Sequence, residues 1–194
     1  ECCKMFKKVL EYFSKSWYHL IRMNENREEG DSMSSVNKEL ETLANDILVK
    51  NDMLKIPVDL IKIANNNNID VYYQELPTNI SGAIRYDSKS NKFQILLQKK
   101  DSSNRQRFTL AHELGHYFLD SDVLKSDELH IDYLYRLAGY QDEKDIEYFA
   151  GALLMDKGLL EKLFIVNPSI KELAETFEVS ESAMTVRLSI LGLI

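Results

Sequence analysis

Two histidines and a glutamate carry the first chemical signal in this sequence. His112, Glu113 and His116 form H-E-x-x-H inside the run Phe108-Thr109-Leu110-Ala111-His112-Glu113-Leu114-Gly115-His116. On a helix, residues four apart share a face and lie one turn from each other. Two neutral imidazoles so placed can hold one zinc ion at about 2.0–2.1 Å each. Glu113 then reaches a water at the metal's open position and can take its proton as general base. The competing reading is two histidines that fall on a helix surface by chance. Only four histidines occur in the 194 residues, and two of them are here. Phe108, Ala111, Leu114, Gly115 and Phe118 make the helix largely apolar, so both imidazoles are expected to be half-buried. An unpaired buried polar group is costly, and a metal removes that cost.

A catalytic zinc needs a third protein ligand and an open position. A further histidine six residues on, with a glycine between, is ruled out, because Leu119 and Asp122 occupy those places. His130 lies in a segment with no clear pattern. Carboxylates on the apolar-periodic stretch 141–155 are better placed. Glu143 and Glu147 are one turn apart and share a face. Either can ligate, with the other hydrogen-bonding a ligand histidine from behind. A helix glutamate is ordinarily an exposed charge. Here Tyr148–Met155 is strongly apolar, so the start of this helix is expected to enter the core beside the metal helix.

The elements that must position these residues follow from periodicity. A helix is expected from Ser34 to about Val49, with Leu40, Leu43, Ala44, Ile47 and Leu48 on one side. Ile56-Pro57 is expected to open the next, with proline in its first turn, and Asn65–Asn68 to end it. Three strands are expected at Ile69–Tyr73, Ile80–Tyr86 and Lys92–Leu97, the last two joined by the Asp87–Asn91 loop. The strand at Phe93–Leu97 is a candidate edge for a substrate peptide. Asp101–Asn104 offers helix caps, and the H-E-x-x-H helix is expected to start near Arg105. Residues 120–141 read as acidic and irregular at first. Two short helices are expected at Ile170–Phe177 and Ser180–Leu191, a helix-turn-helix pattern.

Composition bounds the function. The net charge is −7, which argues against a general nucleic-acid coat. The helix-turn-helix-like pair carries Lys171 and Arg187 against Glu172, Glu175, Glu178 and Glu181, so a protein-contact or packing role is expected rather than DNA binding. Cys2 and Cys3 are adjacent and cannot form a disulfide framework, which suits an intracellular protein. No apolar run is long enough to span a membrane. Residues 4–22 read as a basic amphipathic helix, for which packing on protein is favoured over contact with a membrane surface. Three regions are expected: 1–33, an amphipathic helix and linker; 34–165, the metal-bearing domain; and 166–194, the helical pair.

Four segments together resemble the ImmA/IrrE family of zinc metallopeptidases. They are Ile56-Pro57-Val58-Asp59, Ser81-Gly82, Arg107–His116 and Phe149-Ala150-Gly151-Ala152-Leu153-Leu154-Met155. The resemblance covers about residues 36–194. It implies an α+β fold with a zincin-like core: a small antiparallel or mixed sheet packed on the H-E-x-x-H helix and on a glutamate-bearing helix, followed by the C-terminal helical pair. It implies zinc on His112, His116 and Glu143, the glutamate six positions before Phe149, with Glu113 as catalytic base. The family usually has Ala where this chain has Ile146, Asn or Asp where it has Glu147, and often Pro where it has Asp156. The implied activity is cytoplasmic cleavage of a helix-turn-helix repressor or antitoxin-like regulator, relieving repression, in bacteria or on mobile elements. The alternative is a non-catalytic zinc-containing module that binds such a regulator. Tyr117, Tyr140, Tyr148 and His130 are the candidates for stabilising the oxyanion.

Overall fold

The computed structural model describes residues 32–126 and 142–194. The chain divides into two compact units, Glu1–Lys38 and Glu39–Ile194, and apart from residues 32–38 every described residue lies in the second. The expected helix at 4–22 and the stretch 129–140, including His130 and Tyr140, lie outside the described residues.

The described elements are α1 (Ser32–Lys50), α2 (Leu60–Asn66), β1 (Ile69–Gln74), β2 (Gly82–Asp87), β3 (Lys92–Gln98), α3 (Ser103–Ser126), α4 (Asp142–Leu154), α5 (Lys157–Val166), α6 (Ile170–Phe177) and α7 (Glu181–Ile190). In α1 the buried positions Leu40, Ala44, Ile47 and Leu48 repeat at helical spacing, which gives one apolar stripe. Pro57 does not enter the first turn of α2. It follows a cis peptide bond after Ile56, and the helix starts three residues later, where the Asp59 side chain accepts from the Lys62 N–H at 2.9 Å. The asparagine run closes α2 as expected. Asn68 takes a positive φ of 59°, Asn67 donates to the Ile63 carbonyl, and Asn66 donates to buried Asn51 at the end of α1.

The three strands form one mixed sheet in the order β1-β3-β2. β1 runs parallel to β3 with Ile69 opposite Phe93, and β2 runs antiparallel to it with Ile84 opposite Ile95. β3 is therefore the central strand. Both its edges are occupied, so the expectation that Phe93–Leu97 offers a peptide-binding edge is wrong. Among the described residues, the strands with a neighbour on one side only are β1 and β2. Phe93, Ile95 and Leu97 face the core, and Phe93 meets Tyr117 of α3 edge to face at 5.0 Å.

α3 begins at Ser103 and continues past the expected irregular point, with one non-helical residue at Asp120 (φ −126°, ψ 16°). α4 packs across it, with Phe149, Ala150, Leu153 and Leu154 buried. Asp156 does more than end α4. Its carboxylate accepts from the Leu159 N–H at 2.9 Å and starts α5, a helix the periodicity reading passed over. Ser169 and Ser180 cap α6 and α7, and Glu178 turns the chain between them with a φ of 53°. α7 is tied inward by Arg187, which is 2% exposed. Its guanidinium donates to both Glu41 carboxylate oxygens at 2.6 and 2.9 Å and to the Met155 carbonyl at 3.1 Å. Among the described residues, no helix is long and apolar enough to cross a membrane.

Candidate metal centre

α3 and α4 bring three side chains to one point. His112 and His116 of α3 face Glu143 of α4, with one ligand atom from each lying within 4.8 Å of the others. The two Nε2 atoms are 3.2 Å apart, and Glu143 reaches them at 3.3 Å (Oε2 to His112) and 3.7 Å (Oε1 to His116). Ligands about 2.0–2.1 Å from a tetrahedral ion stand about 3.3–3.4 Å from one another. The observed separations bracket that edge length, and two imidazoles with one carboxylate are a donor set suited to zinc. The residues therefore fit a divalent metal ion with an open fourth position.

Two glycines make the geometry possible. A Cβ on Gly115 would stand 2.9 Å from Ile146 Cγ2 and 3.2 Å from Phe149 Cδ1. The absence of a side chain there lets α4 approach α3 closely enough for Glu143 to meet the histidines. A Cβ on Gly82, at the start of β2, would collide with Thr109 Cγ2 and stand 3.1 Å from Glu113 Oε1. The edge strand therefore lies directly against the proposed base. Glu113 itself is 1% exposed, and His112 and His116 are 8% and 6% exposed. Burial removes competing water and strengthens every charge interaction at the site.

Asp120 was not anticipated. Its Oδ2 lies 3.7 Å from Nδ1 of His116, the ring nitrogen that points away from the cluster. A carboxylate behind a ligand imidazole fixes its tautomer and orientation. The signal available in the sequence was an acidic residue four positions after His116, on the same face. Glu147, which spacing alone offers equally as third ligand or as partner to a ligand histidine, is exposed and stands outside the cluster. The oxyanion candidates divide. The Tyr148 hydroxyl donates to Glu41 Oε1 at 2.9 Å and is engaged elsewhere, while the Tyr117 ring packs on Phe93. Burial first, and then the Glu41 carboxylate, push the Tyr148 phenol up to about 12.

Fold and centre together define a zincin-like metallopeptidase core of the α+β class, extended by C-terminal helices. The chain belongs to the Peptidase_M78 family: the profile described as IrrE N-terminal-like domain matches residues 64–189. A comparison with curated proteins found no match. Among solved structures the chain is similar to a Mycobacterium tuberculosis transcriptional regulator, with a TM-score of 0.57 and 20% identity. The likeness covers 78% of this chain and 46% of that one, and at this identity it concerns the fold alone. Membership and geometry place the domain among the metallopeptidases, with a His-His-Glu group able to hold a metal ion.

Proposed function

We propose that this protein is a zinc-dependent endopeptidase that cuts one peptide bond in a helix-turn-helix repressor or antitoxin-like regulator and so relieves repression. His112, His116 and Glu143 hold the metal. A zinc ion there would polarise the scissile carbonyl and acidify the attacking water. Glu113 takes a proton from that water as its oxygen bonds to the carbonyl carbon. It then delivers the proton to the amide nitrogen as the C–N bond breaks. The substrate strand would lie along β2, the sheet edge whose Gly82 brings its backbone against Glu113, with main-chain hydrogen bonds holding it. A regulator as substrate implies a cytoplasmic site of action, with no direct nucleic-acid contact by this chain.

One observation supports this reading above the others: a buried carboxylate, Glu113, sits between the ligand histidines and the sheet edge. A purely structural metal site has no use for it. The direct test is Glu113→Gln in the full chain. Zinc content should stay at the wild-type level while peptide cleavage falls by about 10²–10⁴-fold, the range for losing a general base. A variant that still cleaves at the wild-type rate would remove Glu113 from the mechanism. A variant that loses cleavage but still relieves repression would point to the non-catalytic binding module.

A further inference from the structure

A groove of about 560 Å³ opens between α3, α4 and α7. Phe108, Tyr148, Met155, Val179, Val186 and Ile190 give it an apolar lining. It is large enough for a few side chains, within the usual range for a binding cleft. Val186 and Ile190 are 58% and 47% exposed on its α7 wall, so this surface is open to solvent. Exposed apolar surface gathered in a concave site marks a place that binds something.

The groove shares both ligand-bearing helices with the metal centre and lies one turn or more from the ligands on each. On α3, Phe108 stands one turn before His112, and Arg105 stands two turns before it on nearly the same face. On α4, Glu147 and Gly151 of the groove follow Glu143 at successive turns. Arg105 also joins the groove to the sheet. Its guanidinium donates to Ser81 Oγ at 3.0 and 2.8 Å, and Ser81 immediately precedes Gly82 and β2. A polypeptide lying along β2 past Glu113 therefore leaves the strand at Ser81, passes Arg105, and enters the groove.

We propose that this groove binds an apolar segment of the substrate polypeptide, on one side of the scissile bond, and acts as the main determinant of which bond is cut. The inference rests on the peptidase reading and names the substrate chemistry it requires. Phe108, the apolar lining residue of α3, precedes His112 by four helical residues, about 6 Å, and Asn104 at the far end precedes it by eight, about 12 Å. An extended peptide covers those distances in about two and about four residues. The apolar segment thus lies about two to four residues from the cut. One turn of Leu, Ile, Val, Met or aromatic side chains would fill the space. The C-terminal helices then serve as one wall of a substrate cleft. This agrees with an α7 whose single cation, Arg187, is buried and which exposes Val186 and Ile190 on the groove side.

Gly151 supplies the test. It lines the groove, and nothing lies within 4 Å of where its Cβ would stand. Gly151→Leu should therefore fold normally and fill the groove. A mixture of random peptides of about 15 residues is incubated with the zinc-loaded full chain, and cleavage sites are read by mass spectrometry. The same mixture is passed over the zinc-loaded Glu113→Gln chain to read retained peptides. The expected result is enrichment of large apolar residues at about the second to fourth positions on one side of the cut, and the same enrichment among retained peptides. Gly151→Leu should erase it, with kcat/KM on enriched peptides falling at least tenfold. Peptides too short to reach the groove should be cut as before, and zinc content should not change. Cleavage with no apolar enrichment, or with enrichment that survives Gly151→Leu, overturns the groove and leaves the peptidase standing. Retention that depends on Gly151 without any cleavage by the Glu113 chain overturns the peptidase and leaves the groove. No retention by either chain, or a dimer in solution that Gly151→Leu dissociates, overturns the proposal.

Discussion

Gly115 and Gly151 both sit in buried-to-half-buried helices, yet an alanine at each should act in opposite directions. Alanine in place of a helical glycine stabilises by about 0.8–1.0 kcal/mol through backbone entropy alone. At Gly151 nothing opposes this, because the added methyl meets open space. At Gly115 the methyl arrives 2.9 Å from Ile146 Cγ2 and 3.2 Å from Phe149 Cδ1, both on buried side chains of α4. Forcing a methyl into such a contact costs about 1–3 kcal/mol. Gly115→Ala should therefore range from neutral to a loss of about 2 kcal/mol, while Gly151→Ala gains about 1 kcal/mol. For a chain of this size the gap corresponds to about 2–12 °C between their melting points. Melting should be measured with a strong chelator present, since zinc binding would itself raise Tm. Zinc affinity, read by competition with a chromophoric chelator, should fall about 10–100-fold in Gly115→Ala only, because α4 moves back and takes Glu143 with it. Ile146→Ala removes the obstructing methyl. Alone it should cost about 2–5 kcal/mol; combined with Gly115→Ala it should show a favourable coupling of about 0.5–3 kcal/mol. Equal stability and equal zinc affinity in the two alanine variants would refute the view that Gly115 sets the distance between the ligand-bearing helices.

Three further outcomes follow from the described contacts. Glu143→Ala should lose zinc affinity by at least about 100-fold, whereas Glu147→Ala should leave it unchanged, since only the first carboxylate meets the histidines; equal losses would mean both glutamates act. Arg187→Ala should destabilise by about 3–5 kcal/mol by denaturant unfolding, because it strands Glu41 and the Met155 carbonyl; a loss under about 1 kcal/mol would show the pair to be solvated. Tyr148, held at about 12 against about 10 when unfolded, contributes stability that is complete below about pH 10 and is lost as pH rises towards about 12. The difference in Tm between wild type and Tyr148→Phe should accordingly shrink over that interval, and a difference independent of pH would discount the phenol.

The centre was legible because it is local. H-E-x-x-H fixes two ligands and a base by spacing on one helix, and no long-range information is needed to put them on one face. Glu143 needed more. Spacing left it level with Glu147, and the family resemblance favoured it. Only the crossing of α3 and α4, set by Gly115 against Ile146 and Phe149, separates the two in space. The edge expected at Phe93–Leu97 was wrong because strand order rests on long-range pairing that local periodicity does not carry. A central strand often reads as an unbroken apolar run, yet β3 carries Gln94 and Gln98. Both glutamines are satisfied sideways: Gln94 accepts from Arg85 on β2 at 2.9 Å, and Gln98 donates to the Leu76 carbonyl beyond β1 at 2.8 Å. Polar side chains on β3 are thus among those that tie it to its neighbours on both sides. Charge counting met the same limit at the C-terminus. The tally of Lys171 and Arg187 against four glutamates disfavoured DNA binding, but it treated Arg187 as a surface cation. Glu41, far away in sequence, draws that guanidinium into the core. The exposed residues of α7 are Glu181, Ser182, Thr185, Val186, Ser189 and Ile190, which offer no cation to meet phosphate, and the apolar pair among them suits contact with a polypeptide.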